Sequence, residues 1–296
     1  MMDPKSLSVE DPRATYPFIP YKDWVFMPTP AIWTKGPEKH FQDIQDYETR
    51  DSDIILCSSQ KSGTHWIHEI MSMLMKQTTE YNSLGPWWEL NLEYLRQPEE
   101  VKKITGPRIF STHLPFSFLP QTHVDNGYKI VYLNRNLKDR YVSLYNFLQG
   151  KLGVPKWTWA EFFDDFILED NLYTGWFNYT KEMIAATKNK SNKIFAVMYE
   201  DLLSDPKKHI TDLANFLDVP YTDEFINDIV IKCSFKNLKD HKLDVCSIID
   251  TDKKSTLFRK GIVGDWKNWF TVAQNEQMEA IYNKEMKDVD VKFIYE

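Results

Sequence analysis

Lys61, Ser62, Gly63 and Thr64 stand between two apolar patterns of different period. Before them, Ile54-Ile55-Leu56-Cys57 suits a strand covered on both faces; after them, Trp66, Ile67, Ile70, Met71 and Leu74 fall on one stripe at helical spacing. The four residues therefore occupy a tight strand-to-helix loop, a place that binds phosphate. Unpaired amides at the helix start and the positive end of its dipole attract an anion, Gly63 lets backbone approach it, and Lys61 adds a full charge. The loop is not that of a nucleotide triphosphatase. Gly-x-x-x-x-Gly-Lys-Ser/Thr wants glycine directly before the lysine, where this chain has Gln60, and here the glycine follows the lysine.

A second cation ends a second strand. Gly127-Tyr128-Lys129-Ile130-Val131-Tyr132-Leu133-Asn134-Arg135 reads as that strand, and Leu137 to Leu148 carries helical periodicity through Val142, Tyr145 and Leu148. Arg135 at the strand end and Ser143 early on the helix can converge on one phosphate, the guanidinium offering a fork of donors and the serine one more. Downstream, Leu257-Phe258-Arg259-Lys260-Gly261-Ile262-Val263-Gly264-Asp265-Trp266-Lys267-Asn268 sets two adjacent cations before two glycines, which reads as an anion-binding loop without secondary structure of its own. Arg108 to Pro115 reads as another short strand with His113 at its carboxyl end. Lys61, His113, Arg135 and Tyr199 thus each follow an apolar strand, and ligands of open α/β sheets bind beyond those ends.

With these residues in place the chain resembles the cytosolic sulfotransferases, from about Asp11 to the C-terminus. That family transfers a sulfuryl group from 3′-phosphoadenosine 5′-phosphosulfate (PAPS), leaving 3′-phosphoadenosine 5′-phosphate (PAP). Its loop close to Tyr-Pro-Lys-Ser-Gly-Thr-Thr-Trp is similar to Lys61, Ser62, Gly63, Thr64, His65 and Trp66 and binds the 5′-phosphosulfate. Its Arg, followed eight positions later by Ser, matches Arg135 and Ser143 on the 3′-phosphate, and its Arg-Lys-Gly-x-x-Gly-Asp-Trp-Lys-Asn matches Arg259 to Asn268. The resemblance further implies that Tyr199 contacts adenine, that Cys233, Ser234, Phe235 and Leu238 border or stack on it with Trp66 against the other face, and that Phe258, Arg259, Lys260 and Gly261 close over the nucleotide. Trp87, Leu90, Phe147 and Tyr173 fall where the family lines its acceptor pocket, and such aromatic walls favour a flat apolar acceptor. Lys267-x-x-x-Thr271-Val272-x-x-x-Glu276 matches its dimer motif and implies a homodimer.

Chemistry assigns roles within this set. An acceptor hydroxyl or amine must lose a proton as it attacks sulfur, and neutral imidazole suits that task, so His113 is the general base. Negative charge grows on the departing nucleotide, where Lys61 stabilises the transition state, while the family mechanism has Ser143 restrain Lys61. Three departures stand out. Gln60 replaces the family's proline and is expected to loosen the loop, His65 replaces a threonine, and Ser111 stands where many members have a lysine two positions before the histidine.

The bulk sequence sets the bounds. A chain of 296 residues fits one large α/β domain, and the seven of fifteen prolines that precede Lys39 argue for an irregular N-terminal arm over 1–39, with a single domain over 40–296. Net charge is −7, which gives nucleic acid or anionic lipid no general attraction. Nothing resembles a secretory signal, and no apolar run reaches the roughly eighteen residues that span a bilayer. Cys57, Cys233 and Cys246 lack metal spacing and fit reduced thiols of the cytoplasm; His65 and His68 lack further ligands at zinc spacing, so no metal is expected. The fold expected is α/β, a central, mainly parallel sheet flanked by helices with a P-loop-like phosphosulfate-binding loop. The activity expected is PAPS-dependent sulfation of a small, apolar or aromatic hydroxyl or amine compound. The alternatives are a nucleotide-binding protein of this fold with lost or altered turnover and a P-loop kinase, and sulfation followed by elimination stays open.

Overall fold

The computed structural model describes residues 18–82, 90–95, 101–149, 156–241 and 258–296. The chain enters as an antiparallel hairpin, β1 (Ile19–Tyr21) and β2 (Trp24–Phe26), followed by helices α1 (Pro30–Lys35) and α2 (Pro37–Gln45). The part of the 1–39 arm that is described is therefore not irregular. Its prolines are compatible with helix because Pro30 and Pro37 occupy first-turn positions, where the missing N–H has no helical acceptor to lose. Thr29 completes the first cap by accepting from the Ile32 amide at 3.2 Å.

Four apolar runs make the central sheet: β3 (Ile54–Ser58), β4 (Ile109–Thr112), β5 (Lys129–Asn134) and β6 (Lys193–Met198). They lie in the order β4-β3-β5-β6, and every pairing is parallel, so all four carboxyl ends leave at one edge. After β3 the chain goes outward to β4 and then returns across the sheet to β5. The junction of β3 and β5 is thus the switch point at which ligands of such sheets bind. Residues alternate between two cores. Ile55, Cys57, Phe110, Ile130 and Tyr132 join the first, and Ile54, Leu56, Ile109, Val131 and Leu133 join the second.

Helices cover both faces. In chain order they are α3 (Thr64–Lys76), α4 (Gln121–Asp125), α5 (Leu137–Leu148), α6 (Trp159–Phe162), α7 (Gly175–Lys188), α8 (Tyr199–Ser204), α9 (Pro206–Leu217), α10 (Asp223–Lys232), α11 (Phe235–His241) and α12 (Val272–Glu285). The expected stripe of α3 is inside, with Ile67, Ile70, Met71 and Leu74 all buried. At the amino end of the sheet, buried Arg108 grips buried Asp53 with both arms, Nε reaching Oδ1 at 2.7 Å and Nη2 reaching Oδ2, and this pair fixes the start of β4 against that of β3.

Candidate active site

The turn between β3 and α3 is shaped for an anion. Lys61 (φ 65°) and Gly63 (φ 106°) both take left-handed backbone, which lifts the chain away from the strand and points the first amides of α3 outward. Glycine is required at 63 for a second reason: a Cβ there would come within 2.9 Å of the Tyr199 ring. Hydroxyl pairs hold the turn, Ser58 with Thr64 at 2.7 Å and Ser59 with Ser62 at 2.8 Å. The Lys61 ammonium lies 4.2 Å from the centre of the Phe147 ring, which tethers it over the loop from α5.

Arg135, one residue beyond β5, lies against the same turn. Its guanidinium donates to the Lys61 carbonyl at 3.2 Å and stacks 4.2 Å from the centre of the Tyr199 ring, while its own carbonyl accepts from the Trp176 indole at 3.2 Å. Ser143 is half-buried two turns into α5. The loop after Phe258 is held here by contacts within itself and with neighbouring segments, among them Arg135 Nη2 to the Ile262 carbonyl at 3.5 Å. Buried Asp139 accepts from the amides of Gly264 (2.8 Å) and Trp266 (2.9 Å), Asp265 pairs with Arg259 at 2.6 Å and with Lys260, and the Gly261 backbone passes so close to Phe235 that a Cβ would lie 2.2 Å from its ring. Burial alone would push the Asp265 carboxyl up, but Lys260, Asn268 and Arg259 together hold it down to about 2.

His113 follows β4. Its Nδ1 is 2.8 Å from the Ser58 carbonyl, which can only accept, so Nδ1 carries the proton and Nε2 keeps its lone pair. Burial lowers the imidazole pKa to about 4; the Ser58 contact opposes that, and the charges of Arg140 and Lys61 add to it. The ring meets Tyr173 edge-on, centroids 6.0 Å apart. Tyr173 and Thr174 hold left-handed backbone at φ 53° and 77°, an arrangement the fold imposes from two sides. Asp170 accepts from the amides of Trp176 and Phe177 at 2.8 and 3.1 Å, and the N-terminal hairpin supplies the Val25 carbonyl to the Tyr173 amide at 2.9 Å.

The sequence matches the model of the sulfotransferase domain over residues 51–290. This chain belongs to the sulfotransferase family. Among relatives, sulfotransferase 1B1 of Canis lupus familiaris is 34% identical over 278 residues, covering 89% of this chain and 93% of the relative. Sulfotransferase 1A1 of Rattus norvegicus is 33% identical over 288 residues, covering 90% and 98%. Among solved structures, that of mouse sulfotransferase SULT7A1 complexed with PAP superposes with a TM-score of 0.76 at 27% identity, covering 92% of this chain and 96% of that one. The four-stranded parallel sheet with helices on both faces is the architecture expected, and the reaction class is sulfuryl transfer.

In this sulfotransferase, Lys61, Ser62, Gly63, Thr64, His113, Arg135, Tyr173 and Tyr199 gather at the carboxyl edge of the sheet, with Phe147 and Ser143 above them on α5. Other expected residues lie beside this group or in the adjoining cores. Trp66 sets its edge against Tyr199, centroids 5.3 Å apart. Cys233 packs its sulfur 3.7 Å from that of Met73, and Leu238 lies in the same core as Tyr199, while Ser234 and Phe235 are half-buried. Leu90 is a core residue whose carbonyl accepts from the Ser111 amide, and Trp87 and Cys246 lie outside the described residues. The loop over Arg259 to Asn268, expected to be without secondary structure, ends in a 3₁₀ turn at Asp265–Asn268, because Asp139 gathers two of its amides. Gln60 is buried, and its carbonyl is tethered by Arg140 Nε at 3.0 Å.

Three residues of the site were not singled out from the sequence. Glu93 is buried and accepts the backbone N–H of His113, and burial raises its carboxyl to about 7 against the pull of that bond. Arg140 and Asp139 sit in the first turn and a half of α5 and act on segments far away in the chain. Only Asp139 had a signal, as the third residue after the cap Asn136, whose side chain accepts its amide. Among the described residues, no group of histidine, cysteine or acidic side chains could hold a metal ion, no helix is long and apolar enough to cross a membrane, and Cys57 and Cys233 are buried free thiols.

Proposed function

We propose that this enzyme transfers the sulfuryl group of PAPS to a hydroxyl or amine of a small, apolar or aromatic acceptor. The observation that carries the reading is the orientation of His113, whose Nδ1 proton is engaged by Ser58 while Nε2 is left as the acceptor, on the same sheet edge as Lys61 and Arg135. Arg135 and Ser143 hold the 3′-phosphate, the amides of 63–65 and Lys61 hold the 5′-phosphosulfate, and Arg259, Lys260 and Gly261 close over the nucleotide. Tyr199, Phe235 and Trp66 border the purine, whose flat apolar faces suit aromatic neighbours. Tyr173 and Phe147 form the acceptor side.

In the reaction His113 Nε2 takes the acceptor proton as the acceptor oxygen or nitrogen bonds to sulfur. The bond from sulfur to the 5′-phosphate oxygen breaks, its electron pair stays with PAP, and Lys61 stabilises the charge that develops there. Depression of the imidazole to about 4 keeps His113 neutral, and so able to act, across the physiological range. The buried thiols fit a cytoplasmic site of action.

His113→Ala tests the assignment. PAP affinity by calorimetry should be kept, since Lys61, Arg135, Ser143 and the Arg259 loop remain, while turnover falls roughly 10²- to 10⁴-fold. Aliphatic alcohols should lose most and acidic phenols least, because phenols are already partly ionised. Near-native turnover of an aliphatic alcohol, with chemistry limiting the rate, would show that His113 is not the base.

A further inference from the structure

Arg140 lies one helical turn before Ser143 and two before Phe147, so the three side chains share the stripe of α5 that faces the phosphosulfate loop. It is 3% exposed, yet among the described residues its guanidinium makes a single hydrogen bond, Nε to the Gln60 carbonyl. That carbonyl belongs to the residue directly before Lys61. The guanidinium also stands near enough to His113 that its charge bears on the imidazole ahead of that of Lys61. The nearby carboxylate, Asp170, is already engaged by the Tyr141 hydroxyl and the amides of Trp176 and Phe177, and forms no direct ion pair with Arg140. The outer nitrogens of Arg140 bind no protein acceptor among the described residues yet are not among the sealed unsatisfied polar atoms, so they keep a path to solvent along which an anion can reach them. The strand beside it supplies no cation: Ser111, two residues before His113, is buried, and its hydroxyl accepts from the Asn91 amide group at 3.3 Å.

We propose that Arg140 binds the sulfuryl oxygens of the donor between Lys61 and His113, so that the positive charge facing the transferring group comes from helix α5. The proposal rests on PAPS as donor. Arg140 exchanges no proton. Sulfur moves from the 5′-phosphate oxygen to the acceptor atom, the acceptor proton goes to His113, and the guanidinium neutralises the sulfuryl oxygens in passage. PAP lacks that group, so its binding should depend little on Arg140.

Two substitutions separate charge from tether. Arg140→Gln keeps a donor for the Gln60 carbonyl and removes the charge; Arg140→Lys keeps the charge and removes the planar fork. With a phenol that the wild type sulfates, Arg140→Gln should lower kcat on the order of 10²-fold, as removal of a transition-state donor does elsewhere. Arg140→Lys should stay within about tenfold of wild type, and PAP affinity by calorimetry should change less than about threefold in both. Near-native kcat in Arg140→Gln, or a loss in Arg140→Lys as deep as in Arg140→Gln, would overturn the proposal and leave Arg140 as a loop tether. If wild type binds PAP but sulfates no phenol, amine or alcohol with PAPS, the underlying reading fails instead.

Discussion

Arg135 holds a turn of the fold and, in the function proposed above, the ligand as well. It bonds to the Lys61 carbonyl and covers Tyr199, so it holds the turn in shape even before an anion is present. A 3′-phosphate would add a charge-assisted contact worth about 1.5–3 kcal/mol. Arg135→Ala should therefore weaken PAP by roughly 10- to 100-fold more than it weakens the analogue without the 3′-phosphate. Equal weakening of the two in calorimetry would make Arg135 purely a scaffold of the turn. Its place was legible because an apolar strand ended in a cation. Glu93 was not, since nothing in Leu92-Glu93-Tyr94 tells a surface carboxylate from one that receives the amide of His113 twenty residues away.

Among the elements, α5 organises the site. Its first turns present Asp139 to one loop and Arg140 to another, and its later turns carry Ser143 and Phe147. The closing loop has little apolar area of its own, with Lys260 and Ile262 exposed, so its shape depends on Asp139 and Asp265. Asp139→Ala would leave the amides of Gly264 and Trp266 without their acceptor, each such loss amounting to about 1–3 kcal/mol if the group stays buried. The loop should open rather than bear that cost. Trypsin should then cut after Arg259 or Lys260 several-fold faster, and PAP affinity should fall by about tenfold. If cleavage and PAP affinity both match wild type, the loop is held by its other contacts. The N-terminal hairpin is a second organising element, because the Val25 carbonyl fixes the backbone at Tyr173, on the side proposed for the acceptor.

For the whole molecule, buried imidazoles tie stability to pH. His40, His113 and His123 are each lowered to about 4, chiefly by burial, from an unfolded value near 6.5. Between those values the unfolded chain binds more protons, so this part of the stability is complete above about pH 6.5 and is lost as pH falls toward 4. Glu93, raised to about 7, acts in the opposite sense and removes part of the slope. His123 lies away from the site and contacts Thr49 and the Lys129 carbonyl, which makes it a clean probe. Urea unfolding of His123→Gln should lose about 2 kcal/mol less than wild type between pH 7 and pH 5. Parallel losses would mean that His123 titrates normally in the fold. Assembly belongs to the same scale. Val272 is 76% exposed at the start of α12, and we propose that it pairs with its two-fold mate while Lys267, which contacts Glu296 within the chain, turns to Glu276 of the partner subunit. Val272→Glu should then reduce the sedimentation mass to that of a monomer; an unchanged dimer would place the interface elsewhere.

What the sequence determined by itself was local and periodic. The apolar runs that became β3 and β5, the helix Leu137–Leu148, the turn at Lys61 and the cations after the strands all follow from patterns a few residues long, because strand and helix periods and strand-end turns are set by near neighbours. Parallel pairing then brings every such strand end to one edge, so an anion site could be read before any contact was known, while the reaction class came from the resemblance to the cytosolic sulfotransferases. Tertiary structure alone decided which buried side chains serve that edge. Glu93 reaches His113 across 20 positions, Arg140 reaches Gln60 across 80, and Val25 of the N-terminal hairpin meets Tyr173 in the middle of the chain. Each is a partnership between chemically ordinary residues, and burial gives it its strength: a charge or amide removed from water must find its partner in the fold, whatever the distance along the chain.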